Sequence, residues 1–301
     1  MKYRNLRYTY NVIGLAVIMF LSIREVVGLL LSFAPIENGS VPYIAITMLS
    51  FVASCIIPVI TMENMLGLHP KLFRRADSIN LTLSGAYNYL LILAAGLINS
   101  LILAAIAFTG LKFAPRSITI PDGAVAAALY FVHICILAPV LEEIFIRGYI
   151  LNALKPVGIT FAVVVSSACF SLMHSSLENF LLYFACGLIL ARVYITFDSI
   201  FASMFVHFVN NTMSFFILYS QQRVNAVSAL SLVALTNIFV LILGFVSKKQ
   251  LDKRNFRWKK VLVKDTELSA KLLHISKSPI ALTAFGLLLF FAAYQSFHNL
   301  V

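Results

Sequence analysis

The chain has 301 residues, 60% of them hydrophobic and only 12% charged, with a mean hydropathy of +0.92. Those proportions exclude a water-soluble domain and point to an all-α, polytopic membrane protein. The net charge of +11 does not indicate nucleic acid as a partner, because most basic residues flank apolar runs, where loop anchors sit.

In chain order, nine apolar runs read as candidate spans: about 9–33, 42–67, 84–110, 123–154, 158–175, 178–196, 199–221, 226–247 and 279–298. Each is near or above the roughly 17–25 residues a bilayer needs, so the expected fold is a transmembrane helical bundle of about eight to nine spans. The first run follows Lys2, Arg4 and Arg7; it is too long for a signal-peptide core and lacks a small-residue cleavage site, so it reads as an uncleaved span. Two connectors, 69–80 and 248–278, mix basic residues with Leu, Phe and Trp258, and the second reads as an interfacial segment on an anionic leaflet. Three regions follow: 1–83 with the first spans and a basic connector, 84–247 as the central bundle, and 248–301 with the basic segment and last span.

Orientation follows from Lys and Arg. With the N-terminus cytoplasmic, 18 basic residues fall inside (Lys2, Arg4, Arg7, Lys71, Arg74, Arg75, Lys155, Arg192 and ten from Lys248 to Lys277). Three fall outside, Lys112, Arg116 and Arg223, while Arg24 and Arg147 lie within spans. The bias predicts a cytoplasmic N-terminus and an external C-terminus. Cys55, Cys135, Cys169 and Cys186 lie in apolar runs without CxxC spacing and read as buried small hydrophobes.

Polar residues inside the spans carry the functional signal. Glu142, Glu143 and Arg147 sit deep in the fourth run, where each ionisable group costs roughly 2.5–3.5 kcal/mol on insertion scales. Glu143 and Arg147 are four apart and share a face, which predicts a structural ion pair. Glu142 points about 100° away and has no partner in its own helix. His174 ends the fifth run, and His207 and Asn211 share a face of the seventh. Counting about 1.5 Å per residue from the helix ends brings Glu142, His174, His207 and Asn211 near mid-membrane. His133 falls about 180° from Glu142 on an ideal helix and reads as a packing residue. Arg24-Glu25 reads as a neutralising pair or a positional anchor.

Two chemistries fit this set. A carboxylate and an imidazole can hold a water and take its proton, with a second imidazole and an amide donating to a tetrahedral oxyanion. Alternatively, Glu142, His174 and His207 could ligate a catalytic zinc, although no HExxH is present.

The order Glu142-Glu143-x-x-x-Arg147, Phe170-x-x-x-His174, His207-x-x-x-Asn211 on successive helices resembles the CAAX protease and bacteriocin-processing (CPBP, or Abi) family of intramembrane proteases. The resemblance covers about 120–220 and makes 84–247 a CPBP-like catalytic bundle. It implies that Glu142 and His174 activate water and that His207 and Asn211 form an oxyanion hole. It implies an intramembrane endopeptidase acting on a membrane-associated peptide or protein, in a bacterial plasma membrane. The family has been described both as metalloproteases and as metal-independent glutamate proteases; here a metal-free mechanism is favoured, with zinc as the alternative, because the neighbours on offer to the histidines are Ser171, Ser175 and Asn210 rather than carboxylates and a dication would leave net positive charge beside Arg147. Eukaryotic prenyl-protein members resemble a pattern with a further His four after the first, where this chain has Glu178; that suits the bacterial branch. A transporter using Glu, Arg and His for protons, or a non-enzymatic immunity factor, are the rival readings.

Overall fold

The computed structural model describes residues 4–70, 73–111, 113 and 119–297. Lys2, Lys71, Lys112 and Arg116, counted above for orientation, lie outside the described residues.

The chain is all-helical there. The helices are α1 (Arg4–Phe33), α2 (Val41–Leu66), α3 (Ser78–Ala107), α4 (Ala124–Phe131), α5 (Ala138–Glu143), α6 (Asn152–Leu154), α7 (Ile159–Met173), α8 (Phe180–Phe197), α9 (Ile200–Arg223), α10 (Ala226–Lys253), α11 (Leu268–Ser276) and α12 (Pro279–Phe297). Helices α4 to α6 form one continuous run through two π-helical turns, Val132–Leu137 and Ile144–Leu151. Among the described residues eight helices are long and apolar enough to cross a membrane, making this a multi-pass membrane protein. The fifth predicted span is the exception: α7 has 15 residues, about 22 Å of helix, and is shorter than a usual span.

Local chemistry sets the ends. Ser40 accepts from Tyr43 N–H ahead of a proline in the first turn of α2, and Gly67 closes that helix in the left-handed region at φ 61°. Asp77 caps α3 by accepting from Asn80 N–H at 2.7 Å, and Asn225 caps α10 through Ser228 N–H at 2.9 Å.

The connectors gather at two ends of the bundle. At one, Arg74 pairs with Asp198, Arg254 lies 3.7 Å from Asp77, and Thr160 Oγ1 donates to Val263 O and accepts from its N–H at 2.9 and 3.0 Å. There the Arg192 guanidinium also stacks over Trp258 at 4.2 Å. At the other, Ile120 N–H donates to Gln222 Oε1, Asn99 Nδ2 to Glu178 O and Leu177 N–H to Ser296 Oγ. Helix α7 therefore runs between the two ends despite its length. Outward-facing Leu230, Leu235 and Phe239 on α10 are each more than 60% exposed. A surface of that kind is stable against lipid and not against water.

Packing surrounds the α4–α6 run. Helix α1 lies against α2 and α12, α3 against α8 and α10, α7 against α8, and α5 against α9. Close approach needs small residues. A Cβ at Gly187 would fall 2.8 Å from Ser167 Cβ, and one at Gly14 would fall 2.7 Å from the Ala281 backbone.

Candidate active site

The break in the fourth span begins at Pro139. Its ring nitrogen has no hydrogen to give, and the preceding turn is π-helical, with Ala138 N–H reaching back five residues to His133 O. In that register the next donor, at position 139, would serve Ile134 O. Asn211 of α9 supplies it instead, with Nδ2 2.9 Å from Ile134 O. A side chain from another helix thus completes the backbone, as lipid requires of every buried carbonyl. Such π turns recur at functional sites.

They also move a residue. A π turn spends about one more residue per turn than an α turn, so the ideal-helix count that set His133 opposite Glu142 fails. His133 and Glu142 line the same cavity.

Glu143 and Arg147 form the expected pair, Nη1 to Oε1 at 2.6 Å, with both residues fully buried. Arg147 Nη2 donates to Gly187 O at 2.9 Å, and its guanidinium lies 4.7 Å over the Phe170 ring. His207 joins this group, its Nδ1 3.2 Å from Glu143 Oε1. Its Nε2 faces Glu142 Oε2 at 3.9 Å, too long for a direct hydrogen bond and a separation at which a water bridges. That Glu142 oxygen is buried without a hydrogen-bond partner among the described residues.

Glu142 and His174 both line an open cavity of about 380 Å³ between α1, α2, the fourth span and α7. His174 caps the end of α7, and its Nδ1 lies 2.7 Å from Phe170 O. A ring that donates from Nδ1 to a carbonyl keeps its lone pair on Nε2. The ring is stacked on Tyr183 at 4.1 Å and meets the edge of Phe170 at 4.8 Å, which fixes its plane. The loop after it is pinned from two sides, by Asn99 on Glu178 O and by Ser296, which donates to Glu178 Oε2 at 2.6 Å. Glu178, the position at which this chain departs from the eukaryotic pattern, ties that loop to the last helix.

His207 and Asn211 do not line this cavity. His207 stands behind Glu142, and Asn211 behind Ile134. Arg24, read as a neutral pair or an anchor, does line it, donating to Met173 O at 3.0 Å and lying over Phe20. It tethers α7 beside His174 and brings a cation to the cavity. Its distance of well over one hundred residues along the chain hid that role, and the only signal was a charge inside an apolar run. Among the described residues no group of three His, Cys, Asp or Glu side chains is gathered as a metal site, and of the three candidate ligands Glu142 and His207 lie 3.9 Å apart.

What the arrangement can do follows from its atoms. It offers a carboxylate oxygen with spare lone pairs, an oriented imidazole and a cation around a space that a peptide could enter. Residues 124–213 match the family model for Rce1-like, type II CAAX prenyl endopeptidases. Over 88 residues the chain is 35% identical to the "Putative membrane peptidase YdiL" of Bacillus subtilis (strain 168), covering 29% of this chain and 36% of that protein. The chain thus spans little more than a third of the length of the curated relative it matches. No solved structure matches it. Residues 124–213, the stretch that holds Glu142, His174, His207 and Asn211, are thus similar to the Rce1-like CAAX endopeptidase family.

Proposed function

We propose that this protein is an intramembrane endopeptidase that hydrolyses a peptide bond of a membrane-associated peptide or protein with an activated water. The observation that carries the reading is that Glu142 and His174 line one open cavity inside the bundle. A water held between that carboxylate and His174 Nε2 gives up a proton as it attacks the scissile carbonyl, and the same proton then goes to the leaving amine. His207 sits between Glu142 and Glu143. His207 is held against Glu143 and Asn211 supports the wall of the cavity through Ile134 O; the oxyanion is assigned to these two side chains on the family resemblance, although neither lines the cavity.

The basic residues predict the N-terminus and 248–278 inside and the C-terminus outside, which sets the cavity lined by Leu31, Tyr43 and His174 toward the outer end of the bundle. Reporter fusions at residue 260 and at the C-terminus should report opposite sides.

The function is tested by comparing membrane proteomes from a null strain and a strain carrying Glu142→Gln. Both should accumulate the same unprocessed substrate, and the wild-type gene should restore its cleavage. If Glu142→Gln processes every protein that the wild type does, the peptidase reading fails. Once a substrate is known, purified enzyme should keep its activity through prolonged chelation; loss of activity restored by zinc alone would make the same residues ligands.

A further inference from the structure

A second cavity of about 340 Å³ lies on the far side of α1 and α7, closed by α11 and α12. None of the polar residues assigned to the peptidase reading lines it. Its walls are almost wholly apolar and run from Tyr10 to Val17 on α1 and from Ala281 to Leu288 on α12. Each stretch covers seven residue steps, about 10 Å of depth at 1.5 Å per residue. Both begin at the end of the bundle where the basic connectors gather, so the crevice opens in the leaflet that faces them.

No charged side chain lines the crevice itself, but the segments next to its lining carry cations. Arg7 stands on the α1 face that enters it, since 7, 10, 14 and 17 follow one another at helical spacing, and Arg7 is exposed. Lys277, also exposed, follows Ser276 at the rim contributed by α11. An apolar slot a few turns deep beneath two solvent-facing cations complements a molecule with a hydrocarbon tail and an anionic head. Basic pockets between transmembrane helices are used in that way for acidic lipid headgroups.

We infer that this crevice is a binding site for an anionic phospholipid of the inner leaflet, one acyl chain lying between α1, α7 and α12 and its phosphate between Arg7 and Lys277. The site holds whether or not the protein is a peptidase, because it rests on the crevice and its rim alone. Helices α1 and α7 also carry Arg24 and His174 into the first cavity, so the lipid would share two walls with it.

The test is thermal unfolding of the purified full-length protein in detergent, with phosphatidylglycerol or phosphatidylcholine added. Phosphatidylglycerol should raise Tm by about 5 °C, as a ligand near a hundredfold excess over its Kd does, and phosphatidylcholine by much less. Ala168→Phe, which fills the slot, should abolish the response. The surface double variant Arg7→Gln/Lys277→Gln leaves the slot intact and should erase the difference between the two lipids, which keeps the test decisive if Ala168→Phe folds poorly. Equal shifts from both lipids with the wild type would show an unselective lipid-facing groove and overturn the proposal. So would a phosphatidylglycerol response unchanged in the double variant, or a response to a lipidated peptide in place of the phospholipid.

Discussion

The two sides of the fourth span are built on opposite principles, although Glu142 and Glu143 are neighbours in the chain. On the Glu143 side the groups are close and dry: Arg147 at 2.6 Å, His207 at 3.2 Å, and the Gly187 carbonyl 2.9 Å from the guanidinium, with Glu143 Oε2 and Arg147 Nε buried and without a hydrogen-bond partner among the described residues. On the Glu142 side the carboxylate faces an open cavity, His207 stands off at 3.9 Å, and one oxygen has no partner among the described residues. The sealed side gives the helix a reason to keep charge in the membrane. The open side keeps charge available. A helix that must do both needs a sealed ion pair to hold it and a carboxylate at an open cavity to work.

Breaking the open side should have the largest effect. Glu142→Gln should reduce processing by about 10²–10⁴-fold, the usual contribution of a general base, while folded protein measured by fluorescence-detected size exclusion stays near wild type. Breaking the sealed side should do the reverse in kind. Glu143→Gln leaves Arg147 buried without its counter-charge, a loss of about 3–5 kcal/mol, and should be seen first as lost folded protein. Equal abundance with equal loss of activity would erase the distinction between the two sides.

The contrast sharpens at the break above Glu142. Asn211→Ala strips Ile134 O of its donor and should cost about 1–3 kcal/mol, read as a lowered Tm. Pro139→Ala returns a backbone N–H to that register, so the double variant should recover part of the loss. Strict additivity in that cycle would mean that Asn211 does not stand in for the missing donor. A smaller effect belongs to the loop behind His174. Ser296→Ala removes two hydrogen bonds, the one to Glu178 Oε2 and the one from Leu177 N–H, about 1 kcal/mol each, and should lower kcat more than abundance because it loosens the placement of the imidazole.

The smallest lies at the far end of the bundle. There Asp265 meets Lys271 Nζ at 2.8 Å, and that hydrogen bond holds its carboxyl below the ordinary aspartate range. A lowered carboxylate pKa adds stability at pH above the unfolded value, which is lost as pH falls through the folded one. Acid titration of Tm should therefore show a step that Asp265→Asn removes.

Much of this was legible in the residues because lipid is an unforgiving solvent. The spans stand out as apolar runs, and charges within them must be paired or employed, so Glu143 with Arg147 could be read from a spacing of four. What escaped depends on departures from ideal geometry or on distant segments. His133 was misplaced because the π turn at Val132–Leu137 changes the phase of the helix before Glu142, and no periodicity argument at 3.6 residues per turn detects it. Arg24 and Glu142 meet in one cavity only after α1 has packed beside the fourth span. The donor that Asn211 gives to Ile134 O could not be foreseen from motif spacing, since its partner is a backbone carbonyl. Pro139 was visible as a breaker, but which side chain would mend the break was not. Helix α7 reads as a span, among the shortest, because the run 158–175 extends three residues beyond the 15 that form the helix.

Gly187 gives the bundle an unusual mutational profile. Its missing side chain lets α8 lie against Ser167, and its carbonyl receives Arg147 at 2.9 Å. Even alanine there would wedge the two helices apart and pull that oxygen off the guanidinium in the same motion. A residue with no functional group at all is thereby as hard to replace as a charged one. In a saturation library, position 187 should cluster with Glu143 and Arg147 and away from the other small residues of the helix–helix seams.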